Sequence, residues 1–183
     1  MRSTRATIAV ITCLAVAACT TVPTPDPQPS ETATTPSTAP DGGVPEVDCA
    51  HAIDVAPPRP ELEVVLDAVA LPTRQVLQAA DSGEPGKLFA KQGLQVRPGV
   101  TVELAVVDDP SGHSRIGWGS PGPETTRLRV PACPGYSGVD GWPAYAGGYL
   151  VDRPQCLHLR IRVAAREQTV GIPVGAPCPA PTR

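Results

Sequence analysis

The sequence predicts an all-β fold, an antiparallel β-sandwich of Ig-like size behind a disordered N-terminal linker. Three observations predict it. Several short runs alternate apolar and polar residues with period two, the signature of half-buried strands. They are punctuated by turn formers, with 17 Gly and 24 Pro in 183 residues. Four cysteines fall inside the same region, enough to staple a core that has only one Phe, two Trp and three Tyr to fill it.

The chain divides into three parts. Residues 1–18 read as a signal peptide: Met1-Arg2-Ser3-Thr4-Arg5 is a short positive stretch, and Ala6 to Ala18 is an uncharged apolar run. That run is too short to span a bilayer as a mature helix. It ends in Val16-Ala17-Ala18-Cys19, an aliphatic residue, two small residues and a cysteine. This resembles the bacterial lipobox, in which small side chains admit the extended backbone to the signal peptidase and the thiol accepts the diacylglyceryl group. Cys13 fits less well, because the polar Thr12 precedes it and would cut the apolar run short. Two acyl chains such as palmitate suffice for stable attachment, so Cys19 is the expected lipidation site. The expected location is the extracytoplasmic face of the cell membrane, with membrane lipid as the first partner.

Residues 19–43 carry the lipidated Cys19 and a Pro/Thr-rich linker. It contains no aromatic residue and almost nothing aliphatic, so no burial offsets its ordering entropy. As extended polyproline II, at about 3.1 Å per residue, it would hold a domain up to roughly 70 Å from the membrane. The Thr and Pro content also resembles that of O-glycosylated stalks.

Residues 44–183 form the predicted domain, of about 140 residues, enough for one core. Leu62 to Leu71 fits a strand or a short helix, with the Val64-Val65 pair and the absence of a capping signature favouring a strand, and Thr73 to Ala80 reads as a helical turn. Lys87 to Lys91 is a short strand. Val100, Val102, Leu104 and Val106 alternate with polar or small partners. Thr126, Leu128 and Val130 alternate with Arg127 and Arg129. Tyr149 to Val151 is another short strand. Leu157, Leu159, Ile161 and Val163 alternate with His158, Arg160 and Arg162, and Val170, Ile172 and Val174 close the series. Pro173 removes a ladder donor, which predicts an edge strand there.

Cys49, Cys133, Cys156 and Cys178 read as two disulfides, since an exported chain meets an oxidising compartment. Three connectivities are open. A hairpin of 157–163 with 168–174 would bring Cys156 and Cys178 to one end, favouring that bond together with Cys49–Cys133. No C-x-x-C pair occurs, and neither a metal nor a cofactor is expected.

Three constellations are candidates for function. Residues 134–149 hold Tyr136, Asp140, Trp142, Tyr145 and Tyr149 in a Gly- and Pro-rich stretch that reads as a loop. Its rings either plug one end of the sandwich or stack on a sugar or peptide. Asp108 to Ser114 gathers acids, hydroxyls and His113, but Asp-Pro-Ser-Gly is first of all turn chemistry. Arg127, Arg129, His158, Arg160 and Arg162 would form a cationic patch if their strands were neighbours.

The stretch Gly147-Gly148-Tyr149-Leu150-Val151 through Pro154, Cys156 and Val163, followed by Val174 to Cys178, resembles the tail of small uncharacterised secreted proteins and lipoproteins of high-G+C Gram-positive bacteria. The resemblance covers the last third of the chain. It implies export, a β-rich fold and paired cysteines, and it brings no activity. Thirteen of the 15 basic residues are Arg and Asn is absent, a usage in keeping with such genomes.

Loss of Arg2 and Arg5 with the leader takes the formal charge from −3 to −5, against the net basic excess of nucleic-acid binders. The functional expectation is a non-enzymatic binding or structural module of the cell envelope, meeting a cell-wall polymer or another envelope protein. The alternative is an envelope hydrolase whose site is assembled from distant residues such as Asp54, Asp109 and His113.

Overall fold

The computed structural model describes residues 43–136 and 140–180. The expected signal peptide, Cys19 and the linker up to residue 42 lie outside them. The fold is all-β with antiparallel sheets. Its strands are β1 (Ala52–Ala56), β2 (Glu63–Val65), β3 (Val69–Leu71), β4 (Ala80–Asp81), β5 (Leu88–Lys91), β6 (Leu94–Val96) and β7 (Val102–Val107). They continue with β8 (Arg115–Trp118), β9 (Arg127–Val130), β10 (Trp142–Tyr145), β11 (Gly147–Val151), β12 (Gln155–Val163) and β13 (Arg166–Val174).

The clearest alternation makes the longest strands. β12 and β13 form a hairpin paired from Gln155 with Val174 to Val163 with Arg166. β7 adds to β12, and β9 adds to β7, giving the order β13-β12-β7-β9. Leu157, Leu159 and Ile161 of β12 point into the core beside Leu104, Leu128 and Ile172, while Arg160 and Arg162 take the wet face. β13 is an edge strand, as Pro173 requires, and the edge is partly capped because Leu77 N–H donates to the Pro173 carbonyl at 2.8 Å.

Two further sheets complete the fold: β1-β10-β6-β3-β2 and β4-β5-β11-β8. The pairing thus falls into three sheets around one core, since Val69, Leu94 and Tyr145 of the first pack in the same cluster as Ile116 and Tyr149 of the second and Leu159 of the hairpin sheet. The chain passes from one sheet to another at Ala146, between β10 and β11. Gly119 N–H donates to the Ala146 carbonyl at 2.9 Å, and Gln92 N–H to the Gly147 carbonyl at 2.9 Å, which satisfies the backbone where the strand changes partners.

Three local expectations are corrected. Leu62 to Leu71 is not one strand but the hairpin β2–β3, with Val65 facing Val69. Leu66 and Asp67 sit at φ 52° and 54°, and Ala68 N–H donates to the Val65 carbonyl at 3.1 Å, the geometry of a type I′ turn without its usual Asn-Gly signal. Thr73 to Ala80 is not a helical turn: Leu77 bridges to Val174 instead, anchoring the segment to the hairpin sheet. Residues 142–149 are not a loop but β10 and the start of β11, because the side chains of Tyr145 and Tyr149 are buried in the interior.

Both disulfides form. Cys49–Cys133 joins the start of the domain to the segment after β9, and Cys156–Cys178 ties the C-terminal tail across the β12–β13 hairpin. The chain-entropy account of such cross-links gives about 4.5 kcal/mol for the first, whose cysteines are 84 residues apart, and about 3.5 kcal/mol for the second, 22 apart. Gly171 makes room for the second bond: a Cβ there would lie 2.8 Å from Cys178 Sγ and 2.9 Å from Cys156 Sγ.

Candidate functional site

The tyrosines of β10 and β11 face inward. Tyr145 and Tyr149 are fully buried, so of the two roles open to these rings they take packing and offer no face to a ligand. Tyr149 meets Trp118 edge-on, and Trp118 Nε1 donates to the Gln92 carbonyl at 2.8 Å. Burial pushes the Tyr145 phenol up to about 12, with Tyr136 and Asp48 adding to the shift, and burial pushes Tyr149 further in the same direction. Trp142 is half-buried on β10, while Tyr136 and Asp140 are exposed. The structure therefore does not gather the five residues into one aromatic surface.

The Asp108–Ser114 segment is a turn between β7 and β8. Asp109 accepts the Ser111 hydroxyl at 2.9 Å and the Ser114 N–H at 2.8 Å. Partial burial works to raise its carboxyl, but these donors outweigh it and hold the group below its ordinary range. His113 turns away and lies 3.3 Å from Asp152, which also pairs with Lys87. The Lys87 hydrogen bond, ahead of that from His113, lowers Asp152. Asp54 belongs to β1 in another sheet and accepts from its neighbour Val55. Among the described residues no hydrogen bond joins Asp54, Asp109 and His113.

The arginine-bearing strands make a solvated face, the ordinary role of such alternation, and not a cationic patch. β9 and β12 are not neighbours, because β7 lies between them and brings Glu103 between Arg129 and Arg162. Arg162 lies 3.7 Å from Glu103 and 2.8 Å from Glu167, Arg160 3.9 Å from Glu167, and Arg129 2.9 Å from Glu46. The face is a salt-bridged, solvated surface with alternating signs.

A concavity that sequence reasoning missed lies on the outer face of β5, β11 and β8. It has a volume of about 150 Å³. Its floor is backbone, at Gly117 and Gly148, which are register partners on β8 and β11. Side chains are excluded there for a steric reason: a Cβ on Gly148 would come within 2.1 Å of the Ala90 carbonyl oxygen and 2.9 Å of Phe89 Cζ, and one on Gly117 within 2.9 Å of the Pro123 carbonyl oxygen. Phe89 and Leu150 make the apolar wall. Arg115 and Glu124 make the polar one, with Arg115 Nε 3.7 Å from the Glu124 carboxylate. Arg115 Nη2 donates to Glu84 at 2.6 Å, whereas its Nε is shielded from solvent and has no hydrogen-bond partner.

Such a site has the parts of a small binding cleft: a ring, a flat polar floor and a paired guanidinium and carboxylate at its rim. The signal that could have found it is the pair of glycine-bearing strands Arg115-Ile-Gly-Trp118 and Gly147-Gly148-Tyr149, since glycine in a strand marks close backbone approach or a ligand. Among the described residues no group of three or more His, Cys, Asp or Glu side chains is placed to hold a metal ion. Comparisons with protein-family models, with curated proteins and with solved structures gave no match.

Proposed function

We propose that this chain is a membrane-anchored extracytoplasmic lipoprotein that works as a non-enzymatic binding module of the cell envelope. Its ligand is a cell-wall polymer, one short segment of which enters the cleft between β5, β11 and β8. The observation that carries the binding reading is the glycine floor of Gly117 and Gly148, set between the Phe89 ring and the Arg115–Glu124 ion pair. A sugar face would lie on Phe89 while its hydroxyls meet the exposed backbone of the floor and the polar wall of Arg115 and Glu124. The anchoring reading is supported by the lipobox at Cys19 and by two disulfides in the domain, which suit an oxidising compartment.

Two experiments test the two halves. Metabolic labelling with radiolabelled palmitate should mark the wild-type chain in the membrane fraction, and Cys19→Ala should lose both the label and the membrane association. Equilibrium retention on isolated cell wall should weaken at least about tenfold, roughly 1.4 kcal/mol, in Arg115→Gln and in Phe89→Ala. Equal retention by both variants and the wild type removes the cleft from the proposal, whatever the labelling result.

A further inference from the structure

The two disulfides sit in different chemistry. Cys49–Cys133 is set into the core: Cys133 is buried among the apolar residues and Cys49 packs against them. Cys156–Cys178 instead lies on the wet face of the β12–β13 hairpin, the same face as His158, above the bare backbone of Gly171. Both of its cysteines are only partly buried and line an open cleft of about 380 Å³ with Glu63, Thr73, Arg74 and His158. His158 Nε2 is 4.0 Å from Cys156 Sγ. Across the cleft, Glu63 accepts the Thr73 hydroxyl at 2.6 Å and pairs with the well-exposed Arg74 at 3.8 Å, so the acid is engaged.

We infer that Cys156–Cys178 is a thiol–disulfide exchange site, reduced by a dithiol partner, while Cys49–Cys133 is structural. The argument is one of access and leaving-group stability. A sulfur can be attacked only where an incoming thiolate can reach it along the S–S axis, and the rate rises as the departing thiolate is stabilised. The cleft supplies the access, and the imidazole ring 4.0 Å from Cys156 Sγ supplies the stabilisation by donating an N–H to the departing sulfur. Because His158 is next to Cys156, Cys156 is the leaving group and Cys178 is the sulfur attacked.

The step balances as follows. A thiolate of the dithiol partner bonds to Cys178 Sγ, the Cys156–Cys178 bond breaks, and its electron pair stays on Cys156 Sγ as a thiolate beside the His158 ring. The partner's second thiol then loses its proton and displaces Cys178, which takes up a proton. Cys156 takes up a second proton from solvent, so the chain ends with two thiols and the partner, having entered as one thiolate and one thiol, with a disulfide, two electrons having moved. This site is separate from the cleft on β5, β11 and β8 and stands without it.

The test uses the folded full chain in buffers of graded reduced to oxidised dithiothreitol, quenched with an alkylating reagent and mapped by peptide mass. Cys156–Cys178 should open at least about tenfold faster than Cys49–Cys133, with the near-UV circular dichroism of the core retained. His158→Ala should shift the dithiothreitol equilibrium about tenfold toward the disulfide, or ~30 mV for two electrons, and His158→Arg should restore part of it. Opening of both bonds together with loss of the folded signal, earlier opening of Cys49–Cys133, or an unchanged equilibrium in His158→Ala would each overturn the inference.

Discussion

The ring of Trp118 meets that of Tyr149 at 88°, with centroids 5.3 Å apart, and this pair joins β8 to β11 from the core side. In a protein with so few aromatic residues it is the bulkiest contact of the interior. Trp118→Ala should cost about 3 to 5 kcal/mol, because it empties a large volume and leaves the Gln92 carbonyl without its donor. Urea unfolding of the variant and the wild type measures the difference, and a loss under 1 kcal/mol would show that the cavity collapses freely.

The hydroxyls of Tyr145 and Tyr149 are buried without a hydrogen-bond partner. Tyr149→Phe should therefore be neutral or stabilising at pH 7, within about 1 kcal/mol. Alkaline pH should separate the proteins. The unfolded chain ionises its phenols near 10 while the folded chain keeps them protonated, so their contribution is complete below about pH 10 and is lost as pH rises from there. For Tyr145 the window closes at about 12. Unfolding midpoints between pH 9 and 12 should fall less steeply in Tyr145→Phe and Tyr149→Phe than in the wild type.

Asp109 organises the β7–β8 turn through Ser111 and Ser114. Asp109→Ala should cost about 1 to 2 kcal/mol at pH 7. The folded carboxyl titrates below its unfolded value of about 3.9, so its stabilisation is present above that pH and disappears as pH falls through the lower, folded value. The gap between variant and wild type should accordingly shrink in acid; a gap independent of pH would mean that packing, not charge, holds the turn.

Gly171 carries the Cys156–Cys178 bond at a distance no side chain tolerates. Gly171→Ala should destabilise by about 1 to 3 kcal/mol. The same substitution in a Cys156→Ser, Cys178→Ser background should cost less, since the clash with the paired sulfurs is gone, and the difference is the coupling that a double-mutant cycle reads.

Asp67→Gly should stabilise the β2–β3 turn by about 0.5 kcal/mol, because φ of 54° strains any side chain-bearing residue. The variant loses the Arg166 ion pair at 3.3 Å, but both partners are well exposed and such pairs contribute little. Denaturant midpoints of Asp67→Gly and Asp67→Ala should differ, with the Ala variant gaining nothing.

The strands were legible where alternation ran for several residues with branched side chains, as in β7, β9, β12 and β13. They were not legible in 142–148, where Gly, Pro and Tyr read as a loop until the burial of Tyr145 and Tyr149 paired the segment with β1, β6, β5 and β8. The Leu66-Asp67 turn gave no local signal because its residues bear the left-handed backbone only under tertiary compulsion. The glycine-floored cleft was hidden for a related reason, since a glycine speaks of close approach without saying what approaches.

By itself the sequence determined the lipobox pattern, the β class, the number of cysteines available for pairing and which residue of each regular strand faces inward. Those are properties of one segment or of composition, and period-two alternation needs no knowledge of the neighbour. Tertiary structure alone decided the three-sheet partition, the choice among three disulfide pairings, the placement of Glu103 between two arginine-bearing strands and the exposure of one disulfide beside His158. Each of these depends on contacts between residues far apart in the chain, whose energies are settled only when all the sheets share one core.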